Sequence, residues 1–141
     1  MSSPNLLILD THIWVWWMQG AKQLPRNIRR LIDEGQEPVA ISSVSIYEAV
    51  LQMQRGRLVV DLPLDEWIFN ATTAANIAIL ALAAEIAARA GVLPLHHGDP
   101  LDRIIIASTV QHDAMLASVD AQFPAYEALD GRLITGKESA Q

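Results

Sequence analysis

At 141 residues, 51% of them apolar, the chain is long enough to bury roughly two-thirds of its unfolded surface in one domain and too apolar to be disordered. A formal net charge of −6 argues against a broadly basic nucleic-acid binder, while leaving room for local patches such as Lys22, Arg26, Arg29 and Arg30, or Arg55 and Arg57 around Gly56. The lack of cysteine excludes a disulfide framework, a thiolate metal site and a cysteine nucleophile.

Met1–Asn5 carries no basic n-region, and the apolar run Leu6–Leu9 is too short for a signal peptide or a span. It suits a strand buried on both faces, ending at Asp10. Thr11–Gly20 reads as a short helix whose tryptophans, Trp14, Trp16 and Trp17, are packing residues. Pro25 opens a second helix reaching Asp33–Gly35, and Val39–Ile41 is a second strand. Ser42 or Ser43 caps a helix from Val44 to Arg55, stopped by Gly56. Leu58–Val60 is a candidate edge strand, and Pro63–Ala75 a helix with Trp67 and Ile68 facing in. Ile77–Leu80 fits a strand and Leu82–Ala90 a helix stopped by Gly91. Residues 71–90 are Ala-rich, but Asn76, Glu85 and Arg89 make them a buried pair of elements rather than a membrane helix. Asp99-Pro100 opens a helix to His112 as N-cap and first helical residue. Ala114–Ser118 is a strand, Phe123–Leu129 a short helix and Arg132–Thr135 a last strand. No linker or repeat divides the chain, so one domain, 1–141, soluble and cytoplasmic, is expected. Strands alternating with helices predict an α/β fold with a mainly parallel sheet.

In such folds ligands bind beyond the carboxyl ends of the strands. Asp10 and Asp120 lie at predicted strand ends. Asp102 sits in the first turn of the helix leading to the Ala114–Ser118 strand, where the helix dipole favours negative charge. Glu48 lies about one turn inside a helix, between Val44 and Leu51, so it interrupts an apolar stripe. Four carboxylates in one cleft raise one another's pKa unless something compensates them. The usual compensation is Mg²⁺ or Mn²⁺, hard cations with oxygen ligands. Such an ion orients a water and clamps phosphate oxygens, which suits phosphodiester hydrolysis. Thr11 and Ser118, each beside an acid, are candidates to hold a metal-bound water. The histidines His12, His96, His97 and His112 have no zinc-site spacing; His97 is placed to orient the Asp99 loop.

Leu7-Ile-Leu-Asp-Thr-His12, Ser42-Ser-Val-Ser-Ile-Tyr-Glu48, His97-Gly-Asp-Pro-Leu-Asp-Arg103 with Ile104-Ile-Ile-Ala107, and Leu116-Ala-Ser-Val-Asp120 with Phe123 resemble, in order, the motifs of PIN-domain ribonucleases. They are most similar to the VapC-like toxins of type II toxin–antitoxin systems, over Asn5 to about Tyr126. The resemblance implies a three-layer α/β/α sandwich, Mg²⁺- or Mn²⁺-dependent endoribonuclease activity on RNA, a homodimer, and inhibition by a small cognate antitoxin that inserts a segment into the cleft. Asp10, Glu48, Asp102 and Asp120 match the four family acids. Asp99 and Arg103 match the subgroup with an Asp-Pro-x-Asp-Arg motif. Ser118 stands where threonine is common, and Arg57 follows Gly56 where lysine is frequent; neither change removes a carboxylate.

Asp10 and Asp102 are then expected as principal metal ligands. Asp120 completes the shell directly or through water, and Glu48 binds metal or positions the attacking water. Asp99 starts the helix and supports the site, while Arg103 pairs with an acid or a phosphate. The competing reading is a non-catalytic interaction module, in which the acids only cap helices and the Trp14–Trp17 surface meets partners. A phosphoacceptor receiver domain fits less well, because no paired acids follow the first strand and Lys22 and Lys137 are misplaced.

Overall fold

Alternation along the central strand explains the layering. The computed structural model describes residues 6–96 and 98–137, so the expectation for His97 falls outside it. Leu7, Ile8 and Leu9 form strand β1 (Leu7–Leu9) and all three are buried. Successive side chains on a strand point to opposite faces. Leu7 and Leu9 enter one hydrophobic cluster, with Ile13, Trp14, Ile28, Trp67 and Ile77. Ile8 enters another, with Ile105, Ile106, Leu116, Phe123 and Tyr126. A strand apolar on both faces needs helices on both faces, and the result is the expected three-layer sandwich.

The remaining elements are α1 (Thr11–Gln19), α2 (Arg26–Glu34), β2 (Val39–Ser42), α3 (Ser43–Gln54), α4 (Leu64–Ala71), β3 (Ile77–Leu80), α5 (Ala84–Val92), α6 (Pro100–Gln111), β4 (Met115–Ala117) and β5 (Leu133–Ile134). The five strands pair in parallel in the order β3-β2-β1-β4-β5. Register sets Leu7 opposite both Val39 and Met115, and Ile8 opposite Ala40 and Leu116. Strand order reverses direction at β1, so β1 and β4 leave the sheet side by side, at the place where such folds put their sites. Among the described residues, no helix is long and apolar enough to cross a membrane.

Several boundaries differ from the sequence expectation, each for a local reason. Leu58–Val60 is not a strand; Leu58 is instead a buried plug in the first cluster. The helix expected over Pro63–Ala75 ends at Ala71. There Thr72 turns out of the helix, its hydroxyl donates to the Ile68 carbonyl at 2.7 Å, and Asn76 takes a left-handed φ of 59°. Gly91 does not stop α5, which runs to Val92 and yields ahead of Pro94. Phe123–Leu129 forms two 3-10 turns rather than an α-helix, with Phe123, Tyr126 and Leu129 buried at the spacing of three that such turns bring onto one side.

Trp14 is fully buried and its indole Nε1 donates to the Ala71 carbonyl at 2.8 Å, with its ring 5.3 Å from that of Trp67. Trp16 and Trp17 pack partly against the same cluster. Trp14 is therefore structural, as expected of a packing residue, whereas Trp16 and Trp17 are only partly covered and Trp16 keeps a side toward a cavity; the interaction-module reading loses Trp14 from its surface. Trp14→Phe leaves a void and an unmatched buried carbonyl, and is expected to cost about 2 kcal/mol in urea unfolding.

Candidate active site

Each acid is placed by an ordinary feature of chain geometry. Asp10 is the residue after β1 and the N-cap of α1. Its Oδ1 accepts from the Thr11 backbone N–H at 2.8 Å. Its Oδ2 accepts from the Ser118 hydroxyl, also at 2.8 Å. Ser118 follows β4, and its Oγ in turn accepts from the Asp120 N–H at 3.1 Å. One hydroxyl therefore ties the ends of β1 and β4 and holds the Asp120 backbone N–H one hydrogen bond from the group that grips Asp10. Asp120 Oδ1 accepts from the Gln122 N–H at 2.8 Å, closing the turn beyond β4.

The Thr11 and Ser45 hydroxyls lie 2.8 Å apart and both residues are buried, which fastens the start of α1 to α3. Ser45 is three residues before Glu48, so that contact also brings Glu48 toward Asp10. Of the two expected caps of α3, Ser42 acts, accepting from the Val44 N–H at 3.2 Å. Asp99 caps α6, its Oδ1 accepting from the Leu101 N–H at 2.9 Å, with Pro100 next and Asp102 in the first turn.

The carboxylate oxygens of Glu48, Asp99 and Asp102 converge to within 4.8 Å of one another. Asp99 is thus both cap and member of the acidic cluster, whereas sequence reasoning gave it a supporting place outside. Asp10 and Asp120 lie outside this 4.8 Å set, with Asp10 close enough to Glu48 to feel its charge. Glu48 Oε1 is a buried oxygen with no hydrogen-bond partner. A buried carboxylate oxygen left unmatched is costly. Oxygen donors at this spacing, one of them unsatisfied, fit a hard divalent cation.

Burial pushes the Asp10 carboxyl above its ordinary range, and the charge of Glu48 pushes the same way; the Ser118 hydroxyl, the Thr11 N–H and His12 pull it down. Burial outweighs the rest because only 4% of Asp10 is exposed.

Arg103 does not serve as expected. Its guanidinium is buried and donates to three backbone carbonyls: Nη1 to Pro94 at 2.8 Å, and Nη2 to Ala90 at 2.9 Å and Leu93 at 2.8 Å. The planar fork clamps the end of α5 and the start of the loop that delivers Asp99. Sequence motif reasoning had no signal for these acceptors, because carbonyls are present at every residue.

A twisted parallel sheet with carboxylates gathered where its strand order reverses defines an acidic-site α/β domain. The family model of the PIN domain matches residues 7–129, and the chain belongs to that family. In sequence it is 26% identical over 115 residues to Ribonuclease VapC22 of Mycobacterium tuberculosis, covering 81% of this chain and 86% of that one. In fold it is similar to a toxin–antitoxin complex from Klebsiella pneumoniae, with TM-score 0.65, 18% identity and coverage of 94% of this chain and 99% of that one. It is similar also to VapBC2 from Rickettsia felis bound to a promoter DNA fragment, with TM-score 0.66, 16% identity and coverage of 92% and 97%.

Two predictions arise from this geometry. A raised native pKa means that the folded state holds the Asp10 proton more tightly than the unfolded chain does. Stability from this group is therefore greatest below the ordinary carboxylate value of 3.8 and is lost as pH rises toward the native value. In metal-free protein at neutral pH, Asp10→Asn is expected to raise the melting temperature, with the gain shrinking on acidification; a lower melting temperature at neutral pH would contradict the assignment. For Arg103, replacement by Lys should not rescue the loss seen with Ala, about 3 kcal/mol in chemical unfolding, since an ammonium cannot span three carbonyls with one planar fork.

Proposed function

We propose that the protein is a divalent-metal-dependent endoribonuclease that hydrolyses RNA phosphodiester bonds, acting as the toxin of a type II toxin–antitoxin pair. The observation that carries this reading is the convergence of Glu48, Asp99 and Asp102 within 4.8 Å around a buried Glu48 oxygen that the protein itself leaves unmatched. Family membership and a relative named as a ribonuclease support the chemistry. Fold neighbours solved as toxin–antitoxin assemblies support the toxin role and a cognate antitoxin as partner, and a cytoplasmic setting belongs to the same proposal. A homodimer is part of the same proposal.

Glu48, Asp99 and Asp102 would hold Mg²⁺ or Mn²⁺, with Asp10 and Asp120 completing the shell directly or through water. Bound there, the ion supplies charge for phosphate oxygens and a more acidic water. The chain's own residues do the positioning. Ser118 and Thr11 fix the Asp10 carboxylate by one hydrogen bond to each oxygen, leaving further lone pairs on both. Glu48 Oε1 is available to ligate the ion or to take a hydrogen bond from the attacking water. Ser118 Oγ is engaged with Asp10 and orients it directly, while Thr11 Oγ is engaged with Ser45 and fastens α1 to α3, so neither hydroxyl is placed as a water holder of its own.

With purified protein, unstructured and structured RNA, and Mn²⁺ or Mg²⁺, cleavage is expected and EDTA should abolish it. Asp102→Asn, Glu48→Gln and Asp99→Asn should each lower the rate by more than about 100-fold, beyond the ~10–100-fold typical of losing a supporting partner at a metal site, and Ser118→Ala by ~10-fold. Calorimetric titration with Mn²⁺ should show a site that Asp102→Asn weakens. Cleavage indifferent to EDTA and to Asp102→Asn would overturn the mechanism.

A further inference from the structure

A cavity of about 230 Å³ opens directly beside the acids, between α1 and α3. Glu48 forms one wall. Along α3 the next residue on that face, four positions on, is Gln52; along α1, His12 and Trp16 are likewise four apart, and all three line the same cavity. The His12 and Trp16 rings are 6.0 Å apart and tilted by 41°. Arg57 completes the lining. It is held there by the close of α3: Gly56 adopts φ +73°, and the Arg57 N–H returns to the Gln52 carbonyl at 2.9 Å. A residue other than glycine at position 56 would strain that return.

We infer that this cavity is a nucleotide subsite, which takes one unpaired ribonucleotide of the RNA next to the cleaved phosphodiester. The inference rests on the ribonuclease reading and adds to it where the strand lies. Single-stranded RNA is recognised by stacking on aromatic faces and guanidinium planes, and by hydrogen bonds to exposed base edges. His12 and Trp16 supply the faces. The Gln52 amide offers a donor and an acceptor to a base edge. Arg57 is a cation in a protein of net charge −6 and lines the same cavity as Glu48, where it can meet a phosphate. Glu48 belongs to both the cavity and the acidic cluster, so a base seated here leaves its own phosphate at the carboxylates. Gln52 and Arg57 are thus positioning residues that set affinity and base preference, and they do not take part in bond breaking.

The test uses the full chain with fluorescently labelled hexa-adenylate, hexa-uridylate and hexa-cytidylate. Binding is measured by anisotropy in an Asp102→Asn background, so that no probe is cut. Arg57→Ala should weaken binding by ~10-fold, the size of losing one stacked or phosphate contact, and Gln52→Ala should flatten the differences among the three probes. In the Asp102-containing enzyme, the same two changes should raise KM with little change in kcat. Binding changes without any cleavage by the unsubstituted enzyme would sink the ribonuclease reading while leaving the subsite standing. Unchanged affinity and unchanged preference in both variants would overturn the subsite.

Discussion

Asp10 is an ionisable carboxyl in the interior, at the junction of two hydrophobic layers, with Glu48 close enough to oppose its charge. Placing a charge there is unfavourable without compensation. Two hydrogen bonds, from the Thr11 N–H and the Ser118 hydroxyl, return part of that free energy. The packed clusters on both faces of β1 hold the rest of the chain in place around it. A cation at the neighbouring trio would invert the local sign and make every one of these acids favourable. The domain is in this sense folded about a set of acids that includes one buried unmatched oxygen, Glu48 Oε1.

The sheet makes that set possible. With β1 between β2 and β4, three chain segments leave the same edge near one another and run into α1, α3 and a 3-10 turn. Helix starts have free backbone N–H groups, and short polar side chains satisfy them. Asp10, Ser42 and Asp99 each do so. Asp10 and Asp99 therefore serve both as caps and as candidate site residues, and a local rule of helix formation carries acids to the candidate site.

The loop before α6 shows a different kind of dependence. Asp99 reaches Glu48 and Asp102 only if the segment after α5 takes one path. Arg103 fixes that path from beneath, through carbonyls of Ala90, Leu93 and Pro94. The arginine of the Asp-Pro-Leu-Asp-Arg run thus acts on the site through the backbone, and its charge is neutralised by carbonyl dipoles rather than by an acid or a phosphate.

What could be read from the chain was what is decided within a turn or two. The apolar run ending at Asp10, the Asp99-Pro100 helix start and the alternation of strands and helices were all legible, because caps, proline and periodicity act locally. Leu58–Val60, the end of α4 and the 3-10 turns were misread, since short apolar runs are ambiguous until packing assigns them a partner. The contacts that assemble the site join residues 34 and 108 positions apart, Thr11 with Ser45 and Ser118 with Asp10. No periodicity encodes such pairs. The sequence by itself determined which acids exist and which elements bear them. Only the tertiary structure decided that Asp99 joins Glu48 and Asp102, that Arg103 serves the backbone, and that a cavity continues from Glu48 to Arg57, because those depend on how whole helices are set against the sheet.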